Sequence, residues 1–170
     1  LDLSAHAARS WMFALAANTE TKWLGVMAGA YAGTWTDADG QAVDFDDEWE
    51  VVGVLRPQIY PTEHVSVAVE ASHEWIRPNG TNPRTETYQT AHVTQLSLLP
   101  GVQIARGGYS RPRLQAIYTM TLLNQGALDF HSPEDTRADG KTQHFLGLGA
   151  QWWINSQRTI NRLRPITCCR

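Results

Sequence analysis

Tyr109, Arg111 and Arg113 fall at alternate positions of the stretch ARGGYSRPRLQAIYTM, residues 105–120, and Gln115, Ile117 and Thr119 continue the row. The other register reads Pro112, Leu114, Ala116, Tyr118 and Met120, an apolar row. Two fixed cations on one side of a strand are the chemistry to explain, because the stretch holds no carboxylate to pair with them. In a dry core they would be prohibitive. The row must therefore meet water, either along a wet lumen or on the solvated face of a soluble sheet.

Other groups suggest reactions without supporting them. Glu70 and Glu74 could serve as a hydrolytic carboxylate pair, but such pairs usually come from different strands at a cleft. The histidines His64, His73 and His92 are scattered, and His131 and His144 flank a polar stretch. No H-x-x-x-H or C-x-x-C spacing exists to hold zinc. DADG and DFDDE, within Thr36–Glu48, concentrate carboxylates and read as a solvated loop rather than a calcium site. Phosphate-cradling and nucleophile-elbow motifs are absent. We expect no catalytic residue, no metal and no cofactor.

The elements that must position these residues are strands. Period-2 segments run over Ala8–Ala17, Lys22–Trp35, Trp49–Tyr60, His64–Trp75, Tyr88–Ala105, Tyr109–Leu123 and Gln143–Ile154. Most reach ten residues or more, longer than the usual strand of a soluble sheet and matched to a tilted bilayer crossing. The longest apolar-leaning uncharged run, Trp23 to Gly33, is too short for a spanning helix. A near-balance of 14 Lys+Arg against 17 Asp+Glu argues against nucleic acid as a partner. The only cysteines, Cys168 and Cys169, are adjacent in the tail and give the body no disulfide framework.

Connections alternate in length. Asn18–Thr21, Pro61–Glu63 and Arg106–Gly108 are short; Thr36–Glu48, Ile76–Thr87 and Asn124–Thr142 are long. Barrels that cross a membrane sort their loops in this way, short at one rim and long at the other. Parity agrees. Val65, Val67, Val69 and Ala71 oppose Ser66, Ala68, Glu70 and Ser72; Val51, Leu55, Pro57 and Ile59 oppose Glu50, Arg56, Gln58 and Tyr60. Periodicity alone cannot say whether the apolar row meets a core or lipid. Trp11, Trp49, Trp75, Tyr118 and Trp152 lie toward strand ends or on the apolar row, as interfacial girdles do.

Three stretches in order, VVGVLRPQIYPTEHVSVAVEASHEW, LSLLPGVQIARGGYSRPRLQAIYTM and FLGLGAQWWI, resemble the maltoporin (LamB-type) carbohydrate porins. The resemblance lies in an RP…Y…S…E strand–turn–strand unit, a W/Y-S-R-P-x-x-R stretch after a short turn, and a closing strand that ends in a tryptophan pair. It implies an all-β fold: an antiparallel meander forming the C-terminal portion of a large outer-membrane barrel. It further implies a homotrimer in outer-membrane lipid that passes sugars, maltodextrin-like oligosaccharides among them, by facilitated diffusion. On this reading residues 1–155 supply about seven strands and 156–170 a basic, disordered tail. An open sheet edge is not tolerated in lipid, so the chain is expected to be a fragment whose first strand pairs with one not present.

The resemblance also implies a channel lined by aromatic rings along which pyranoses slide, flanked by charged groups that bond their hydroxyls. Its candidates here are Trp153, Tyr109, Arg111, Arg113, Arg56 and Glu70. Trp152 and Trp153 point to opposite faces. Leu146, Leu148 and Ala150 share the Trp152 row, whereas Gly147, Gly149 and Gln151 share that of Trp153, which places Trp153 inward. The competing class is a soluble β-sandwich that binds carbohydrate on its surface.

Overall fold

The computed structural model describes residues 8–36, 47–82, 85–131, 134–135 and 140–152. Seven strands form one sheet: β1 (Arg9–Glu20), β2 (Leu24–Thr36), β3 (Glu48–Ile59), β4 (Val65–Pro78), β5 (Ala91–Gln103), β6 (Arg113–Leu123) and β7 (Thr142–Gln151). Each pairs antiparallel with the next in the order β1-β2-β3-β4-β5-β6-β7. The sheet is the expected all-β antiparallel meander. One four-residue helix, α1 (Gln125–Leu128), lies in the connection after β6.

The alternating side chains sort cleanly once the register is known. Gln58 faces Ala68 and Gly25; Glu70 faces Ser97, which faces Thr119, and Phe145 completes that row. This polar face carries Arg56, Gln58, Ser66, Glu70, Ser72, Ser97, Gln103, Arg113 and Gln115. The opposite face carries Trp11, Phe13, Leu15, Leu55, Val69, Leu98, Leu114 and Leu148, all strongly exposed, Leu148 at 90 %. A soluble sheet would bury that face. Here it is the outside, as in a barrel bounded by lipid.

In an antiparallel meander, successive connections must emerge at opposite rims. Residues 21–23, 60–64 and 104–112 therefore share one rim, and 37–47, 79–90 and 124–141 the other. The third short connection differs from expectation. Tyr109 and Arg111 are not on β6, which begins at Arg113, and the turn expected at Arg106–Gly108 spans nine residues. Pro112 explains the boundary in part, because it has no N–H to give to a ladder. β1 also runs past Ala17 to Glu20, because Asn18 and Thr19 keep pairing with Met27 and Val26.

Small packed regions sit at both ends of the sheet. At the short-loop rim, Tyr60, Ala68 and Leu99 are buried on the polar face together with Gln58, Ser66, Gln103 and Arg113. At the long-loop rim, Asn124 caps α1. Its Oδ1 accepts from Ala127 N at 2.9 Å and His92 N at 3.0 Å, and its Nδ2 donates to Thr90 O at 2.8 Å. The helix lies so close that a Cβ on Gly126 would stand 2.3 Å from Thr90 O. Asn82 Nδ2 donates to the Asp129 carbonyl at 3.3 Å, and Gln89 Nε2 to the Asp129 carboxylate at 2.6 Å. Two long connections are thus tied together rather than separately solvated. Within 37–47, DADG and most of DFDDE lie outside the described residues.

Candidate functional site: the polar face at the short-loop rim

The connection 104–112 does not stay at the edge. It folds over the polar face toward β1. Gly108 N donates to Glu20 Oε1 at 2.8 Å, and the Tyr60 hydroxyl donates to the same oxygen. Asn18 Nδ2 donates to Tyr109 Oη at 3.2 Å. The Arg106 guanidinium lies 5.3 Å over the Trp23 ring, in the turn between β1 and β2. Gly107 turns the chain with φ 127°, where a side chain would be strained, beside the Glu20 carboxylate. In a flat sheet β1 and β5 would lie about 19 Å apart, four strand spacings. The connection and the curl of the sheet toward the polar face bridge that distance, so the polar face is the inner one.

Arg56 and Glu70 stand side by side on β3 and β4 and form an ion pair, with Nε of Arg56 at 2.5 Å from Oε2 of Glu70. Both side chains are partly exposed on the inner face, so the pair contributes about 0–1 kcal/mol to stability. Arg113 is on the same face but only 4 % exposed beneath the connection, with Arg56, Arg111 and Tyr60 as electrostatic neighbours. Its Nε has no hydrogen-bond partner among the described residues, and neither do Gln58 Nε2, Ser66 Oγ or either amide atom of Gln103. Arg111 turns back on its own loop, where Nη1 donates to Gly108 O at 3.0 Å and Ser110 O at 2.7 Å. The Tyr109 ring is 57 % exposed. Trp153 lies outside the described residues.

The structure brings Arg56, Glu70 and Arg113 together, and sets Arg111 near Arg113 and Tyr109 against Asn18, both on a loop rather than on the strand. Sequence reading missed Asn18, Glu20 and Tyr60, which hold that loop. Tyr60 is the residue just past β3; burial, then its bond to Glu20, raises its phenol above the ordinary value. The only sequence signal was a carboxylate, Glu20, on the inward parity at the end of a strand.

Charge on the inner face is segregated. Toward the long-loop rim, Tyr31 bonds Glu50, which also meets Glu74, with Glu48 alongside. Arg56 and Arg113 lie toward the short-loop rim. Glu70 and Glu74, weighed above as a hydrolytic pair, sit on one strand and have separate partners, Arg56 and Glu50. Among the described residues no three His, Cys, Asp or Glu side chains form a metal cluster, although His73 and His92 do meet.

Strands of 10 to 14 residues, an apolar exterior and a polar interior define a membrane-spanning porin-type barrel sheet. The model of the family described as LamB porin matches residues 2–153, nearly the whole chain. The chain belongs to the LamB porin family, a family of outer-membrane sugar porins that typically form trimers and are in general not enzymes. No curated protein matches it.

Proposed function

We propose that this protein conducts sugars across the bacterial outer membrane by facilitated diffusion, with maltodextrin-like oligosaccharides as the substrate class, and works as a homotrimer. Its β1 and β7 edges, each paired on one side only among the described residues, complete their ladders with further strands of a larger barrel, because lipid leaves an open edge unsatisfied. Residues 1–155 supply strands, and 156–170, outside the described residues, are a basic tail.

The carrying observation is the exposed Tyr109 ring, held over the inner face by Asn18, whose register row continues through Met27 to Arg56. A pyranose offers an apolar C–H face to the ring and hydroxyls to the ions. Trp153 adds a second ring from the row of Gly147, Gly149 and Gln151. Arg111, folded onto its own loop, and Arg113, buried beneath it, add positive charge to this end through their field rather than by contact with the sugar. Conduction needs several weak sites rather than one tight one, and a ring beside half-solvated ions is such a site. The test is ion current through the protein in planar bilayers, titrated with maltooligosaccharides. Saturable block supports the reading; current indifferent to these sugars overturns it.

A further inference from the structure

Strand pairing brings two histidines together on the outer face. His73 of β4 stands opposite Thr94 of β5, and His92 stands opposite Trp75, so the two imidazoles are diagonal neighbours toward the long-loop rim. Their ring centroids are 5.5 Å apart, the planes are tilted by 35°, and His92 Nδ1 lies 3.4 Å from His73 Nε2. That separation is longer than the usual hydrogen bond. It is the separation of two ligands on one small ion. Nitrogens bound tetrahedrally at zinc-like distances stand about 3.3–3.4 Å apart, whereas adjacent ligands of a square-planar ion stand only about 2.9 Å apart. The far nitrogen of His73 is already engaged, with Nδ1 at 2.8 Å from Thr94 Oγ1. When Nδ1–H donates to that oxygen, Nε2 keeps its lone pair on the His92 side; such a bond is what orients a metal-binding imidazole. His73 is exposed and His92 half-buried, and both lie at the level of the Trp75 girdle, where water reaches the outer face. Charge favours a cation. Connections 37–47, 79–90 and 124–141, which emerge at this rim, carry ten Asp and Glu against three Lys and Arg in the sequence, a balance that raises the local concentration of cations.

We infer that His73 and His92 form a two-histidine site for a zinc-class divalent cation, with Thr94 as the positioning residue. Imidazole nitrogens suit zinc, whereas calcium and magnesium take oxygen ligands. The tetrahedral spacing also favours zinc over square-planar copper(II). In the metal-free pair one facing nitrogen, His92 Nδ1, carries the proton that the two rings share. Binding takes His92 in its other neutral tautomer, with the proton on Nε2, so no proton is released from the neutral pair. Water completes the shell, which makes the site open and weaker than a closed four-ligand one. The bound ion ties β4 to β5 beside the connection 79–90. No sequence spacing announces such a site, because its ligands come from two strands, 19 positions apart in the chain. The inference rests on the β4–β5 register, not on sugar conduction.

The complete protein, free of any affinity tag, is titrated with Zn²⁺ in neutral detergent, and bound zinc is counted by native mass spectrometry. An excess of Ca²⁺ is present throughout to occupy the carboxylates of the connections. One zinc per protomer should bind saturably and raise the melting temperature. His73→Gln and His92→Gln should each abolish both effects, while His144→Gln, on the same face but bonded to Tyr118, should change neither. Thr94→Val keeps both ligands and should weaken binding about tenfold, and Thr94→Ser should restore it. Sugar block should be unchanged in the two histidine variants, which separates this inference from the channel reading. Absence of saturable zinc, or zinc that survives His73→Gln/His92→Gln, overturns the site. Zinc seen only when Ca²⁺ is left out would assign the ion to the carboxylates and also overturn it. Equal affinity in wild type and Thr94→Val would remove Thr94 from the role given to it.

Discussion

An arginine on the inner face can be a solvated channel ion or a structural brace, and its immediate partners decide which. Arg56 is half-exposed and tied to Glu70, so Arg56→Ala should leave the barrel assembled. It should also leave Glu70 uncompensated and shift selectivity toward cations, read as reversal potential in a salt gradient. Arg113→Ala removes a cation crowded by Arg56 and Arg111 and should likewise assemble; an unfolded product would make this residue structural. Tyr109→Ala should weaken sugar block about fivefold, the order expected for one lost ring contact near 1 kcal/mol. Trp153→Ala should act in the same direction and Trp152→Ala should not, which tests the proposed inward register of Trp153. Equal block in wild type and Tyr109→Ala would remove the ring from the pathway.

The element that matters most is the connection 104–112, anchored at Glu20. Glu20→Gln keeps the shape but replaces the charge-assisted bonds from Gly108 N and Tyr60 with weaker neutral ones. The connection should then lift from the inner face, raising single-channel conductance and its fluctuation together and speeding hydrogen exchange at Gly108. Alkaline pH offers a second handle. The Tyr60 phenol is raised by burial and by Glu20, so the folded state favours its neutral form. That contribution is complete below about pH 10, the ordinary value, and is lost as pH rises through the higher folded value. Channel noise should therefore climb above pH 10 in wild type and show no such step in Tyr60→Phe. A step of equal size in both would place the titrating group elsewhere.

At the scale of the whole molecule, the meander sends 37–47, 79–90 and 124–141 to one rim and all short connections to the other. Proteases or tags applied to intact cells should reach only the long set. Labelling of residues 60–64 from outside would invert the barrel. The inner face also has a sense of direction: Glu48, Glu50 and Glu74 stand toward the long-loop rim, whereas toward the other Arg56, Arg111 and Arg113 outnumber Glu20 and Glu70. An asymmetric charge profile should make the current rectify, and Arg56→Ala should reduce the asymmetry.

Much of this protein was legible in the order of its residues. Alternation in Val65–Ala71 and Val51–Ile59 assigns the two faces, because successive strand side chains must point opposite ways. Loop lengths assign the rims, because a meander must alternate them. The RP…Y…S…E and Y-S-R-P stretches name the family. Neither periodicity nor spacing could tell an apolar row that faces a core from one that faces lipid, since both read alike; exposure of Leu55, Leu114 and Leu148 on the folded sheet decides that. The path of residues 104–112 was also hidden. Glycines and a proline mark a turn, but its direction depends on Glu20, Asn18 and Tyr60, as many as 91 positions away in the chain. So too with the histidines: His73 and His92 look scattered in sequence and become neighbours only because β4 and β5 pair in one register. What local patterning determines is each strand's face and length. What only the tertiary structure decides is which distant side chains that register brings within bonding distance.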